Sequence, residues 1–119
     1  MIALIQRVLR AQVDVAGETV GRIGPGLLAL VAVQPHDGEP QAQRMVERLL
    51  GYRVFADAQA KMNRSLSETA GGLLLVSQFT LAADTAKGMR PSFTSAAPPE
   101  MGRKWFERLV EIAKAAIHR

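Results

Sequence analysis

The stretch Leu73-Leu74-Leu75-Val76-Ser77-Gln78-Phe79-Thr80-Leu81, followed after a short gap by Met89-Arg90-Pro91-Ser92-Phe93, decides how this chain is read. Four aliphatic residues in a row predict a buried strand, and the switch at Ser77 to hydroxyl and amide side chains predicts an end that presents polar groups. Three roles are open to Ser77, Gln78 and Thr80: a hydroxyl nucleophile, side-chain donors to a developing oxyanion, or a backbone amide cradle. The nucleophile is the weakest of these, because it needs a base within reach and no His-plus-carboxylate pair is evident. His36 and His118 read as surface residues, and Thr80 also fits a turn hydroxyl that satisfies nearby backbone. Met62 and Phe79 fit either an apolar, base-stacking pocket or plain core.

Upstream, Ile2 to Val15 predicts one long strand. Ala3, Ile5, Leu9, Ala11, Val13 and Val15 share one face, and Gln6, Arg10, Gln12 and Asp14 the other. Arg7 falls on the apolar face, where it needs a carboxylate or carbonyl partner or must snorkel to the sheet edge. Ala16-Gly17-Glu18 and Gly24-Pro25-Gly26 read as turns around a short strand, Thr19 to Ile23. Leu27 to Val33 reads as a central strand, so the first third is expected to be an antiparallel meander. A helix is expected from Pro40 to Gly51, its stripe of Ala42, Met45, Val46, Leu49 and Leu50 packing on the sheet. Tyr52 to Phe55 reads as a strand, Ala56 to Gly72 as a loop, and Asp84 to Pro99 as another loop. Met101, Trp105, Leu109, Ile112, Ala113 and Ala116 recur at helical spacing to the end.

At 119 residues with 48% hydrophobic and 22% charged content, one domain spanning 1–119 is expected. No long apolar run or signal-like N-terminus is visible, so the expectation is a cytoplasmic protein without a membrane partner. There are no cysteines, which excludes thiol nucleophiles, thiolate metal sites and disulfides. Two histidines outside any ligand-spaced cluster predict no metal and no cofactor. Gly24-Pro25-Gly26 leads into a strand, which does not support a triphosphate-binding loop. The net charge of +4 is uneven: seven Lys or Arg face three Asp or Glu from Lys87 onward, against eight of each before it. That asymmetry fits a phosphate-bearing partner or a solvated amphipathic helix.

Taken together, Ser77-Gln78-Phe79-Thr80-Leu81, Met1-Ile2-Ala3-Leu4-Ile5-Gln6-Arg7-Val8, Lys61-Met62-Asn63, Leu50-Gly51-Tyr52-Arg53-Val54-Phe55 and Gly88-Met89-Arg90-Pro91-Ser92-Phe93 resemble the D-aminoacyl-tRNA deacylase family in the right order along essentially the whole chain. The resemblance implies an α+β fold, an antiparallel or mixed sheet with two packed helices, in a homodimer with a barrel-like core. It implies hydrolysis of the ester of D-aminoacyl-tRNA, and of glycine mischarged on tRNA-Ala, at the 3′ end of the tRNA. The implied catalytic residues are Ser77, Gln78, Phe79, Thr80 and Leu81, with Arg7, Met62, Asn63, Arg90 and Phe93 binding substrate. Thr80 as nucleophile competes with activation of water by the substrate's own ribose hydroxyl; the missing His partner favours the second, with the basic last third meeting tRNA phosphates.

Family members continue past the final helix into strands carrying an Asn-x-Gly-Pro-Val/Thr motif, which enters the partner's site and rejects L-amino acids. In the family the residue matching Arg7 holds that segment. This chain ends at Arg119, so the expectation is a C-terminally truncated form with reduced stability and weak chiral discrimination.

Overall fold

The computed structural model describes residues 1–78 and 97–117. The elements run β1 (Ile2–Val8), β2 (Ala11–Val15), β3 (Glu18–Ile23), β4 (Gly26–Ala32), α1 (Glu39–Gly51), α2 (Leu66–Thr69), β5 (Gly72–Ser77) and α3 (Pro99–Ile117). They form a three-stranded sheet of order β1-β4-β5 and a two-stranded sheet, β2-β3.

The α+β class stands, with the two long helices α1 and α3 as expected, but the barrel-like dimer core is corrected. Both sheets among the described residues are open, with β1 and β5 as the edges of the larger one. Closing a barrel requires every strand to have two neighbours, and three strands in a row leave two unpaired edges. A third helix, α2, lies where a loop was expected. Ser65 caps it: the Glu68 amide donates to Ser65 Oγ at 3.4 Å, and the Ser65 amide donates to the Glu68 carboxylate at 3.2 Å. This reciprocal capping box follows from the Ser-x-x-Glu spacing at 65 and 68.

The expected single strand from Ile2 to Val15 is two strands in different sheets. Gln6 and Arg7 are both exposed, which breaks the two-residue alternation, and Leu9 lies 85% exposed in a bend between the sheets. The meander is likewise replaced, since β4 pairs with β1 and β5. Tyr52 to Phe55 is no strand; it contributes only an isolated bridge between Phe55 and Arg64.

The described chain divides into two compact units. The first comprises Met1–Leu4, Leu30–Val46 and Ser77–Arg119. Its core holds Val31, Ala32, Ala42, Val46, Leu109 and Ala113. Within it, the Met1 ammonium donates to Asp37 at 2.7 Å and to Gln34 at 3.1 Å. Arg108 of α3 reaches both carboxylate oxygens of Glu39 in α1 at 2.8 and 3.0 Å.

The second unit comprises Ile5–Ala29 and Glu47–Val76. Leu27, Ala29, Leu49 and Leu66 are buried there, the leucines each contributing about 1.5–3 kcal/mol by leaving water. β2 and β3 pair antiparallel through a two-residue turn in which Ala16 and Gly17 both have positive φ, as a type I′ hairpin requires. At the start of β4 and β5 two glycines meet: Gly72 N donates to the Pro25 carbonyl at 3.0 Å, and a Cβ on Gly26 would run into the Gly72 carbonyl.

Between Asp57 and Asn63 one carboxylate organises the chain. Asp57 accepts from the Gln59 and Lys61 amides at 2.8 and 3.0 Å and from the Asn63 side chain at 2.9 Å. The Lys61 amide first, then Asn63, hold its pKa below the ordinary aspartate value, against a smaller opposing effect of desolvation.

Two outcomes are expected. Gly26→Ala lowers the unfolding free energy by about 1–3 kcal/mol, read as a lower denaturant midpoint, or prevents folding, because backbone rather than a movable side chain blocks the new methyl. For Asp57 the lowered pKa means its bonds stabilise the loop above the unfolded-state value and lose that contribution as pH falls through the folded value. The protection of the Gln59 and Lys61 amides relative to their intrinsic exchange rates should therefore be constant near neutrality and fall only in acid below the usual aspartate range, and an Asp57→Asn variant should lose that acid step.

Candidate functional site

The strand-end motif begins as expected. β5 carries half-buried Leu73 to Val76 and ends at exposed Ser77, after which Gln78 N donates to the Val31 carbonyl at 2.8 Å. On the far side of residues 79–96, Ala97 N donates to the Val33 carbonyl at 3.1 Å. The described residues flanking that segment are thus pinned two residues apart along one strand and its extension, roughly 7 Å by the strand rise. Phe79, Thr80, Leu81, Arg90 and Phe93 lie outside the described residues.

Arg7 and Met62 are brought together. Arg7 Nη1 donates to the Val54 carbonyl at 2.9 Å and approaches Met62 Sδ at 3.1 Å, all within the second compact unit. The sequence pattern placed Arg7 on the apolar face; the structure exposes it and supplies the carbonyl partner that a guanidinium there requires. Asn63 is turned to Asp57 rather than to Arg7. Ser77 and Gln78 belong to the other unit.

Arg7 also lines a cleft of ≈ 260 Å³ whose other walls include Leu9, Pro25, Phe55 and Thr69. Sequence reading assigned Phe55 to a strand and Pro25 to a turn, and so missed this cleft; no periodic signal joins residues from four separate segments. Chemically it offers a largely apolar slot with one oriented guanidinium, suited to a planar or aliphatic group beside an anionic or carbonyl oxygen.

Two arginines of α3 are paired within the fold. Arg103 pairs with Glu107 at 3.0 Å, and Arg108 pairs with Glu39 and with Glu111 at 3.2 Å. Arg108 is the main cause of the lowered Glu39 pKa, and Glu39 in turn is the main cause of the raised Arg108 pKa. Lys104 sits 5.0 Å from the centroid of the Trp105 ring. The two arginines are therefore largely neutralised within the fold and offer less to an external phosphate than the charge count implied. Among the described residues no group of three or more His, Cys, Asp or Glu is arranged to hold a metal, and no helix is long and apolar enough to cross a membrane.

A family model described as D-Tyr-tRNA(Tyr) deacylase matches residues 4–119. A D-aminoacyl-tRNA deacylase of Stenotrophomonas maltophilia is 68% identical over 114 residues, covering 96% of this chain and 78% of the relative. One from Nitrosococcus oceani is 61% identical over 119 residues, covering 100% of this chain and 77% of the relative. Among solved structures, the c-Myc DNA Unwinding Element Binding Protein matches with a TM-score of 0.90 at 34% identity, over 96% of this chain and 76% of that one. A probable eukaryotic D-amino acid tRNA deacylase matches with a TM-score of 0.84 at 19% identity, over 98% and 68%, a likeness of fold. With a matching model over nearly its whole length and relatives of this identity, the chain belongs to the D-Tyr-tRNA(Tyr) deacylase family.

Proposed function

We propose that this chain, as a single-domain subunit, hydrolyses the ester joining a D-amino acid to the 3′ end of tRNA, releasing the free amino acid and tRNA and so proofreading chirality in translation. The match of residues 4–119 to the deacylase family carries this reading. Glycine mischarged on tRNA-Ala is a second substrate, the working form is a homodimer, and the cytoplasm is where it acts.

Water adds to the ester carbonyl carbon, the bond to the ribose 3′ oxygen breaks, and a proton passes to that oxygen. An aminoacyl ester is an activated acyl group, so orientation together with donors to the developing oxyanion supplies much of the barrier reduction. Backbone and side-chain donors around Ser77, Gln78, Phe79, Thr80 and Leu81 hold the ester, while the substrate's ribose hydroxyl positions the attacking water. Arg7, Met62, Asn63, Arg90 and Phe93 place the terminal adenosine and aminoacyl group. The sequence offers no evident His-plus-carboxylate pair, which favours this over a Thr80 nucleophile; among the described residues His36 is exposed in a turn and makes no hydrogen bond or ion pair.

A second reading, a nucleic-acid-binding dimer without turnover, draws on the 34% identity to the c-Myc DNA Unwinding Element Binding Protein. Incubation with D-Tyr-tRNA and L-Tyr-tRNA separates the two. The enzyme reading expects the D-ester to be cleaved well above its spontaneous rate and faster than the L-ester, whereas tRNA binding with no turnover of either supports the second. Thr80→Val should keep D-ester turnover within about tenfold; a fall on the order of 10⁶, as when a true nucleophile is removed, would restore Thr80 to that role.

A further inference from the structure

The β2–β3 hairpin carries a second cationic feature that neither the cleft nor the strand-end motif uses. Arg10, Ala11, Gln12, Arg22 and Ile23 line a wide, open concavity of ≈ 590 Å³ in the second compact unit. Gln12 stands directly opposite Arg22 in the antiparallel register, and Arg10 lies two residues before Gln12, just ahead of β2. Arg10 and Arg22 thus meet on the wall of one concavity.

Both guanidinium groups are exposed, and neither has a hydrogen-bond or ion-pair partner among the described residues. Arg7, Arg64, Arg103 and Arg108 are each committed to a carbonyl or carboxylate. Arg44, Arg48 and Arg53 are also exposed without a side-chain partner among the described residues, and what sets Arg10 and Arg22 apart is that they line one concavity together. Of the hairpin's two carboxylates, Asp14 is occupied by Thr19 Oγ1 at 2.6 Å and by Gln12 Nε2 at 3.1 and 3.2 Å, and Glu18, four residues before Arg22, forms no ion pair with it. Thr19 and then Gln12 lower the Asp14 pKa, which keeps that carboxylate ionised, yet it forms no ion pair with either arginine. Two like charges lining one concavity repel each other, and an anion seated between them removes that repulsion.

We propose that the concave face around Arg10 and Arg22 is a docking surface for tRNA backbone phosphates. The proposal rests on the deacylase reading and deepens it by moving the tRNA contact from α3 to the hairpin. Two guanidinium forks on one concave surface suit phosphodiester oxygens, and they give affinity without reading bases. A surface of this kind serves an enzyme that meets many tRNAs through a common chemical feature, the ester at the 3′ end.

The test measures binding of uncharged tRNA to the full 119-residue chain across a salt series, for the wild type, Arg10→Gln/Arg22→Gln and Arg10→Lys/Arg22→Lys. Turnover of a minimal substrate, a D-aminoacyl ester of adenosine, is followed in parallel, with circular dichroism confirming the fold of each variant. Losing two phosphate contacts should make the log–log salt slope shallower by about 1.5, with weaker binding at every salt concentration. Minimal-substrate turnover should stay unchanged, and the Lys pair should keep most of the slope. An unaltered slope in the Gln pair, or no salt-dependent tRNA binding by the wild type, overturns the docking surface. Failure of the wild type to cleave the minimal ester counts against the deacylase reading alone, since the slopes are read on uncharged tRNA.

Discussion

The contact of two backbones at Gly26 and Gly72 is the constraint on which the placement of the strand-end motif depends. Pro25 O accepts from Gly72 N, and neither glycine has room for a side chain: Gly26 faces the Gly72 carbonyl, and Gly72 faces the β-branched Ile23. Once β4 and β5 start in contact, their register is set, because a slip by one residue would turn Leu73 to Val76 to the opposite face. The pairing then runs on to Gln78 N on the Val31 carbonyl, which delivers Ser77 and Gln78 to the end of the sheet.

Electrostatics divides the cations of this chain into two groups. Arg103 and Arg108 on α3 are answered within the fold by Glu39, Glu107 and Glu111. Exposed pairs of this kind add little to stability, and they lower the field available to a partner. The hairpin arginines do the reverse, remaining without counter-charge on a concave surface. Net charge by segment is thus an incomplete guide, since a charge acts on a partner only to the extent that its own fold leaves it unanswered.

Much of the architecture was legible in the residues. The stripe at Ala42, Val46 and Leu49 is buried in α1, Leu109 and Ala113 are buried in α3, and the central strand and the Ala16-Gly17 turn occur where periodicity and turn chemistry placed them. Misreadings came where local pattern and long-range pairing disagree. Ile2 to Val15 alternates almost without interruption, yet β1 joins β4 while β2 folds back on β3, so the chain must change sheets at Leu9 and Arg10. Tyr52 to Phe55 has strand-forming residues but no strand beside it, and propensity without a pairing partner does not make a sheet. The capping box at Ser65 and Glu68 was written in the sequence and passed over within a polar stretch.

The sequence by itself determined the family, the strand that ends in Ser77 and Gln78, and the lack of thiol chemistry, because these depend on residue identity and short-range order. Tertiary structure alone decided that Arg7 meets Val54 and Met62, that Asn63 serves Asp57, that both described sheets stay open, and which arginines remain unpaired. Each of these is a contact between segments far apart in the chain or a choice among several competing partners. Hydrophobic periodicity records which face a residue presents, but carries no information about what stands opposite that face.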